Sequence, residues 1–388
     1  MAVPADPPTR HYLDHASTSP LRPEAAAALA AWAAGGPFGD PSRPHTEGTA
    51  ARAALEAARD RLAAFLGARP SELVLTSGGT EAANWVTRAV RAAGDPDAPV
   101  ALAAVEHACV RRPAEASGPV VTLPVDRTGR IDLEAVEAVL APPPGRPRPA
   151  LVHCQHANHE VGTRQPVGEV ARACAAAGVP LHVDACASAG HLDLDELADV
   201  PLLSVTAHKL GGPPGIGALV VRRPLRLTPL LRGAEQERAR RAGFENLPGA
   251  LAFAAVADRL ADPATRATEA ARDRARRDAL AATGTALPGI DVLGDPAGGL
   301  PHLVCLSLAG VAAEGVVLGL DGAGIAVHSG SACSAEAFEP SPVLEAMGVD
   351  PAGSLRLSVG WSTTDSDVAA FARAFPDVLA GLRALAGA

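Results

Sequence analysis

Lys209 lies within Ser-Val-Thr-Ala-His-Lys-Leu-Gly-Gly-Pro-Pro-Gly-Ile-Gly-Ala-Leu, residues 204–219. The apolar stretch 200–205 before it reads as a buried strand. Glycines at 211, 212, 215 and 217 and two prolines follow. They call for a sharp turn or a close backbone approach. An amine at the end of a buried strand is desolvated. It sheds its proton more easily and can attack a carbonyl carbon. Taken alone, an Ala-His-Lys triplet is as compatible with a structural role as with a catalytic one.

Three other stretches bear on the choice. Ser77-Gly78-Gly79-Thr80-Glu81 is a glycine-rich turn between a strand and a helix. The free N–H groups and dipole of such a helix start hold an anion. It lacks the Gly-Lys-Ser/Thr of a nucleotide P-loop and is not a dinucleotide fingerprint, so a single phosphate fits it best. Its plainer reading is an ordinary tight turn. Asp184 follows the strand 180–183, where it either caps a helix or holds a ring nitrogen. A lysine, a carboxylate for a pyridinium nitrogen and a phosphate turn make up the set that pyridoxal 5′-phosphate (PLP) requires. His107, at another strand end, either stacks on the ring and shuttles protons or is a satisfied structural histidine.

These residues need a scaffold that brings them together. Short apolar runs at 72–76, 100–105, 120–125, 151–154, 180–183 and 200–205 alternate with helical patterns at 79–93, 133–140 and 167–177. That alternation predicts an α/β fold with a mostly parallel sheet covered by helices on both faces. Ligands bind such sheets beyond the carboxyl ends of the strands. Gly79 and Thr80, His107, Asn158, Asp184, and His208 with Lys209 each follow a strand end. From about residue 249 the pattern becomes α+β: helices over 250–260 and 265–283, strands over 303–308, 324–327 and 355–359, and a helix over 365–385 kinked or broken at Pro376. The expected domains are 12–249, large, and 250–388, small, with residues 1–20 packed on the small one.

The chain has 388 residues, enough for two domains. It is 48% hydrophobic and 20% charged, a folded composition, and lysine is scarce. A net charge of −9 without a basic run disfavours direct nucleic-acid binding. No run of about 18 apolar residues predicts a membrane span, and the N-terminus has no apolar signal core, so a cytoplasmic location is expected. The six cysteines contain no Cys-x-x-Cys pair, so no metal site is expected. Cys154, Cys174, Cys186 and Cys305 sit in or beside apolar elements and read as buried small hydrophobes. Cys333 instead lies among small polar residues, Ser329-Gly-Ser-Ala-Cys-Ser334.

These stretches, in this order, resemble the group I cysteine desulfurases of the class V aminotransferases, which are fold-type I PLP enzymes. The similarity runs from Tyr12-Leu-Asp-His-Ala-Ser-Thr-Ser-Pro20 through Thr76-Ser-Gly-Gly-Thr-Glu81, Glu106-His107, His156-Ala-Asn-His-Glu-Val-Gly-Thr163, His182-Val-Asp-Ala185 and Ala207-His-Lys209. It continues through Gln236-Glu-Arg238 and Gly243-Phe-Glu-Asn246 to the Cys333 loop and covers roughly residues 12–375. The resemblance implies a large domain with a seven-stranded sheet and a homodimer. It makes Lys209 the Schiff-base residue, with Asp184 at the ring nitrogen, His107 stacked on the ring and Asn158 in contact with it. Gly79, Thr80, Thr206 and His208 would complete the cofactor site. Arg356, with Asn158 and His15, would hold the substrate carboxylate region.

The implied reaction converts L-cysteine to L-alanine. Lys209, with His107 as a second candidate, moves protons; Cys333 takes the sulfur as a persulfide and passes it to an acceptor protein. Four positions depart from the family pattern. Ala187 replaces a glutamine that donates to the cofactor's phenolic oxygen. Phe244 replaces a threonine that reaches the partner subunit's cofactor phosphate. His15 replaces an asparagine, and His328 a serine. They suggest a specialised paralogue. Two alternatives stand beside this reading. One is another class V PLP enzyme, such as a C–S or selenocysteine lyase or an aminotransferase. The other is a non-catalytic paralogue acting as a scaffold. The acceptor's pathway (iron–sulfur assembly, tRNA or DNA thiolation, or natural-product synthesis) is not encoded in these motifs.

Overall fold

The computed structural model describes residues 10–295, 297–329, 340–351 and 353–386. Cys333 and its loop lie outside the described residues. Among the described residues, no helix is long and apolar enough to cross a membrane.

Twelve strands are described: β1 (His11–Tyr12), β2 (Leu73–Thr76), β3 (Val100–Ala103), β4 (Val120–Leu123), β5 (Leu151–Gln155), β6 (Leu181–Asp184), β7 (Leu202–Thr206), β8 (Gly217–Val221), β9 (Val292–Leu293), β10 (Leu303–Ser307), β11 (Ile325–Ala326) and β12 (Ser354–Ser358). Strands β2 to β8 form one seven-stranded sheet in the order β2-β8-β7-β6-β5-β3-β4. Only β8 runs antiparallel, to β2 on one side and β7 on the other. Every residue of β2, β3 and β5 to β8 is buried, as a sheet covered on both faces requires. The edge strand β4 is half exposed.

β8 was not expected from sequence, because the glycine-rich run before it reads as a turn that continues to Gly217. It fixes where Lys209 sits. The segment between β7 and β8 is a hairpin connection, and Lys209 lies on it. Gly217 pairs with Thr206 on one side and Thr76 on the other. A Cβ there would lie 2.6 Å from the Val205 carbonyl and 2.7 Å from the Gly78 Cα. The glycine therefore lets the turn after β2 rest directly on β8.

A helix over Ala108–Ser117 was also unexpected. Pro113 sits inside it, and a proline in mid-helix argues against a helix from sequence; only Val110 and Ala114 are buried. Conversely, Pro376 does not break the last helix, which runs continuously over Asp365–Ala386.

A second hydrophobic core joins β10 and β12 to the last helix through Leu306, Leu355, Leu357, Phe371 and Phe375. β1 pairs in parallel with β11, and Asp14 bridges to Ser358, so the N-terminal segment is stitched to this core. The helix Leu247–Ala261 packs instead into the large core, with Phe253, Val256 and Leu260 buried there. The expected boundary at 249 falls within this helix; by packing, the large unit continues to its end.

Gly217→Ala should destabilise the protein by about 1–3 kcal/mol, since neither the Val205 carbonyl nor the Gly78 backbone can retreat. Thermal unfolding checks this; an unchanged melting temperature would mean that the turn is not seated on β8.

Candidate active site

The carboxyl ends of β2, β6 and β7 open onto one cavity of about 280 Å³. Gly79, Thr80, His107, Asp184, Thr206, His208, Lys209 and Arg356 all line it, together with Ser17, Gln155, His159, Cys109, Cys186 and Ala187. Eight of the residues singled out from sequence thus meet in one place. Two described ones do not.

Asn158 is fully buried and does not line the cavity. Its Oδ1 accepts from the backbone N–H groups of Glu160 and Val161, both at 2.8 Å, and its Nδ2 donates to the Val105 carbonyl. It shapes the loop, as asparagine does in Asx turns. The next residue, His159, faces the cavity in its stead. His15 is also fully engaged. Its Nδ1 bonds Ser19 Oγ at 2.8 Å and its Nε2 lies 3.2 Å from Thr363 Oγ1, while Ser17 lines the cavity.

The anion site is built as the sequence suggests. The helix Gly79–Ala93 begins at the cavity wall. A Cβ on Gly79 would lie 2.5 Å from the Cys186 Sγ, so only glycine lets the turn close over that thiol. Glu81 reaches back to accept from the Ser77 N–H at 2.7 Å. It is paired with Arg241 at 3.0 Å, which offsets its charge beside the turn.

Asp184 ends β6 and is nearly buried. Burial alone would raise its pKa. Hydrogen bonds from the Cys186 thiol and from its N–H, the latter at 2.9 Å, lead the effects that outweigh burial and hold the carboxyl below its usual range. No helix follows it, so it is not a helix cap.

The histidines around it are neutral. Burial, then His159 and Lys209, push His107 down to about 3. Burial, then Lys209 and Arg356, push His159 down to about 3. Burial and Lys209 push His208 down to about 4. His107 Nδ1 accepts from the Cys109 N–H at 3.1 Å, which leaves the proton of the neutral ring on Nε2. The His107 and His159 rings meet edge to face, with centroids 4.7 Å apart.

Arg356 lies in β12 and carries the second core's contribution to the cavity. One nitrogen donates to Asp14 at 2.9 Å and Ser17 at 2.6 Å, another to the His159 carbonyl at 2.9 Å. Its Nε and the Nδ1 of His159 are buried with no hydrogen-bond partner among the described residues.

The cysteines separate clearly. Cys154, Cys174 and Cys305 are buried, as expected, and burial raises each thiol pKa. Cys186 departs from expectation, being only partly buried and lining the cavity. Burial, then Asp184, raise its pKa well above the usual thiol value, so it is held as a thiol. The segment that carries Cys333 leaves the described structure beside this cavity. His328 is bridged to Arg356 at one end, and at the other Ser341 donates to Glu160 at 2.5 Å.

His159, Gln155 and Ser17 were not singled out from sequence, and Cys186 was read only as a buried small hydrophobe. His159 had a signal, its place directly after an Asx-type asparagine. A stronger one attaches to Lys209: of the 34 basic residues in the chain it is the only lysine. Every other cationic position is arginine, whose guanidinium stays protonated and cannot serve as a nucleophilic amine.

Fold and cavity together define a two-domain α/β protein with a lysine-centred site at the carboxyl edge of its sheet. The Aminotransferase class-V family model matches residues 11–371. The chain is 37% identical to a cysteine desulfurase of Cereibacter sphaeroides, over 97% of each chain. It is 38% identical to an IscS-like cysteine desulfurase of Mycobacterium tuberculosis, over 96% of this chain and 97% of the relative. A solved NifS-like protein superposes with a TM-score of 0.86 at 27% identity, covering 96% of this chain and 100% of that one. The chain belongs to the class V aminotransferase family, and its close curated relatives there are cysteine desulfurases.

Glu106 lies under this site with its carboxyl fully buried. Burial, then the charge of Asp184, push its pKa up from 4.5 to about 8. The folded protein thus keeps a proton that the unfolded chain releases above 4.5, so stability falls as pH rises through that window. Glu106→Gln retains an acceptor for the Gln155 N–H, 2.6 Å away. It should flatten the loss of melting temperature between about pH 5 and about pH 9. Equal losses in variant and parent would show that Glu106 does not titrate there.

Proposed function

We propose that this protein is a PLP-dependent cysteine desulfurase that converts L-cysteine to L-alanine. The carrying observation is that its only lysine shares one cavity with a buried anionic carboxylate, a glycine-seated helix start and an arginine. That donor set fits PLP. Gly79 and Thr80 would hold the phosphate, Asp184 the ring nitrogen, Thr206 and His208 the surround, and Lys209 the aldehyde carbon. His107 would cover the ring face. Ala187, which also lines the cavity, offers the phenolic oxygen no donor. The cofactor, when bound, supplies an electron sink that acidifies the substrate α-carbon and loosens the bond to sulfur.

The chain's own residues supply the rest. Arg356, whose Nε has no partner among the described residues and whose other edge holds Asp14, would orient the substrate carboxylate. The Lys209 amine takes and returns protons at the substrate carbons. His107, neutral with its proton on Nε2, is placed to move a proton near the substrate sulfur. Cys333 attacks that sulfur as a thiolate, forming an S–S bond as the carbon–sulfur bond breaks; the products are alanine and a Cys333 persulfide. The protonated Cys186 makes a poor rival for this role. An acceptor protein then takes the persulfide sulfur.

In this reading the protein works as a homodimer in the cytoplasm. Phe244 is 67% exposed at the rim of a small groove formed with Ser77, Gly215 and Arg241, and Phe38 is 66% exposed. Both are large apolar side chains that a second copy would cover.

Cys333→Ala should cut alanine formation from L-cysteine by more than about two orders of magnitude while the protein keeps its cofactor colour. Lys209→Ala should abolish that colour. Undiminished turnover by Cys333→Ala would overturn the desulfurase mechanism in favour of another class V PLP activity.

A further inference from the structure

Behind Asp184 four side chains form one continuous hydrogen-bond chain that ends on its carboxylate. Thr87 Oγ1 lies 3.1 Å from His153 Nε2, and His153 Nδ1 lies 2.8 Å from His182 Nδ1. His182 Nε2 lies 3.1 Å from Ser204 Oγ, and Ser204 Oγ lies 3.4 Å from Asp184 Oδ1. Thr87, His153, His182 and Ser204 are each 0% exposed, and none lines the cavity.

The sheet register creates this chain. His153 on β5 sits directly opposite His182 on β6, and Asp184 sits opposite Ser204 on β7. Thr87 comes from the helix whose first turn forms the anion site. One element thus touches the cofactor pocket at its start and the proton chain in its second half.

The two histidines cannot both present a proton at the 2.8 Å Nδ1–Nδ1 contact, nor can both present a lone pair. Burial holds His153 well below its ordinary pKa and His182 at about 4, so each ring is neutral with a single N–H. Only two arrangements remain. In the first, Thr87 donates to His153, His153 Nδ1–H to His182, His182 Nε2–H to Ser204, and Ser204 O–H to Asp184. In the second, every proton is reversed. Ser204 then donates to His182, Asp184 loses a donor, and Thr87 donates to the Ala83 carbonyl, 3.0 Å away.

We propose that the first arrangement is the working one, and that His153 and His182 are positioning residues that keep the Ser204 hydroxyl proton on Asp184. The carboxylate's charge selects this polarity. A donor dipole aimed at a buried anion is favoured, and each link in a chain strengthens the next. Thr87 forgoes little, because the Ala83 carbonyl is already within the helix Gly79–Ala93. The consequence for cofactor binding rests on the desulfurase reading: a carboxylate fixed as an anion is the form that pairs with a protonated ring nitrogen.

Two measurements test this on the full chain. The first is ¹⁵N-histidine NMR on cofactor-free protein near neutral pH, assigned with His153→Gln and His182→Gln. The expected result is N–H on Nε2 of His182 and on Nδ1 of His153. The opposite tautomers, or a doubly protonated ring, would overturn the proposal. The second is a titration with PLP. Ser204→Ala should weaken binding by about tenfold, and Ser204→Thr should restore it, with equal thermal stability of the cofactor-free variants as the control. Equal affinity in all three would overturn the link to the cofactor. Should the parent protein fail to bind PLP, the desulfurase reading fails, and the NMR tautomers still decide the polarity of the chain.

Discussion

A full negative charge has to persist at the buried end of β6. An isolated carboxylate in such a place costs several kcal/mol and escapes by taking up a proton. Asp184 does not, because hydrogen-bond donors converge on it: the Cys186 thiol and N–H and the Ser204 hydroxyl. Much of the surrounding structure follows from that requirement. The register of β5, β6 and β7 sets the polar side chains behind it. The turn 184–188 brings the Cys186 N–H round to it, and the same turn places the Cys186 thiol under Gly79. Glu106, close enough to feel the same charge, keeps its proton instead.

The cavity keeps its charges few and separate. Arg356 is a cation, Asp184 is an anion, and His107, His159 and His208 are neutral because burial and the neighbouring basic groups disfavour further positive charge. Neutral imidazoles can both accept and donate, which suits proton movement at a substrate that itself changes charge. The two cores divide the work. The large sheet supplies the lysine, the carboxylate and the anion site. The smaller core supplies Arg356 and, at Val327, one flank of the segment that carries Cys333; the other flank, at Val343 and Leu344, packs in the large core, and the segment around Asp14 and Ser17 ties the two together.

Much of this was legible in the sequence, for a physical reason. A strand buried on both faces is an apolar run, so a polar residue just past its end stands out, as Asp184, His107 and Lys209 do. That signal says only where a side chain begins. Asn158 and His15 stand at similar positions, yet their polar atoms are consumed by the backbone and by neighbouring hydroxyls. His159 enters the cavity because Asn158 turns the chain. β8 was hidden because Gly217, needed for close packing against Gly78, resembles the end of a turn. The partnership of His153 with His182 depends on register between strands nearly thirty residues apart. Periodicity along one strand carries no record of it.

The central claim is that Lys209 carries PLP, and the sequence makes it unusually direct to test. Apart from the N-terminal amine, Lys209 is the only primary amine in the chain. Protein incubated with PLP, reduced with borohydride and mapped by peptide mass spectrometry should carry the cofactor's mass on the peptide containing Lys209, and Asp184→Ala should sharply reduce the yield. Cofactor found only at the N-terminus, or nowhere, would contradict the account.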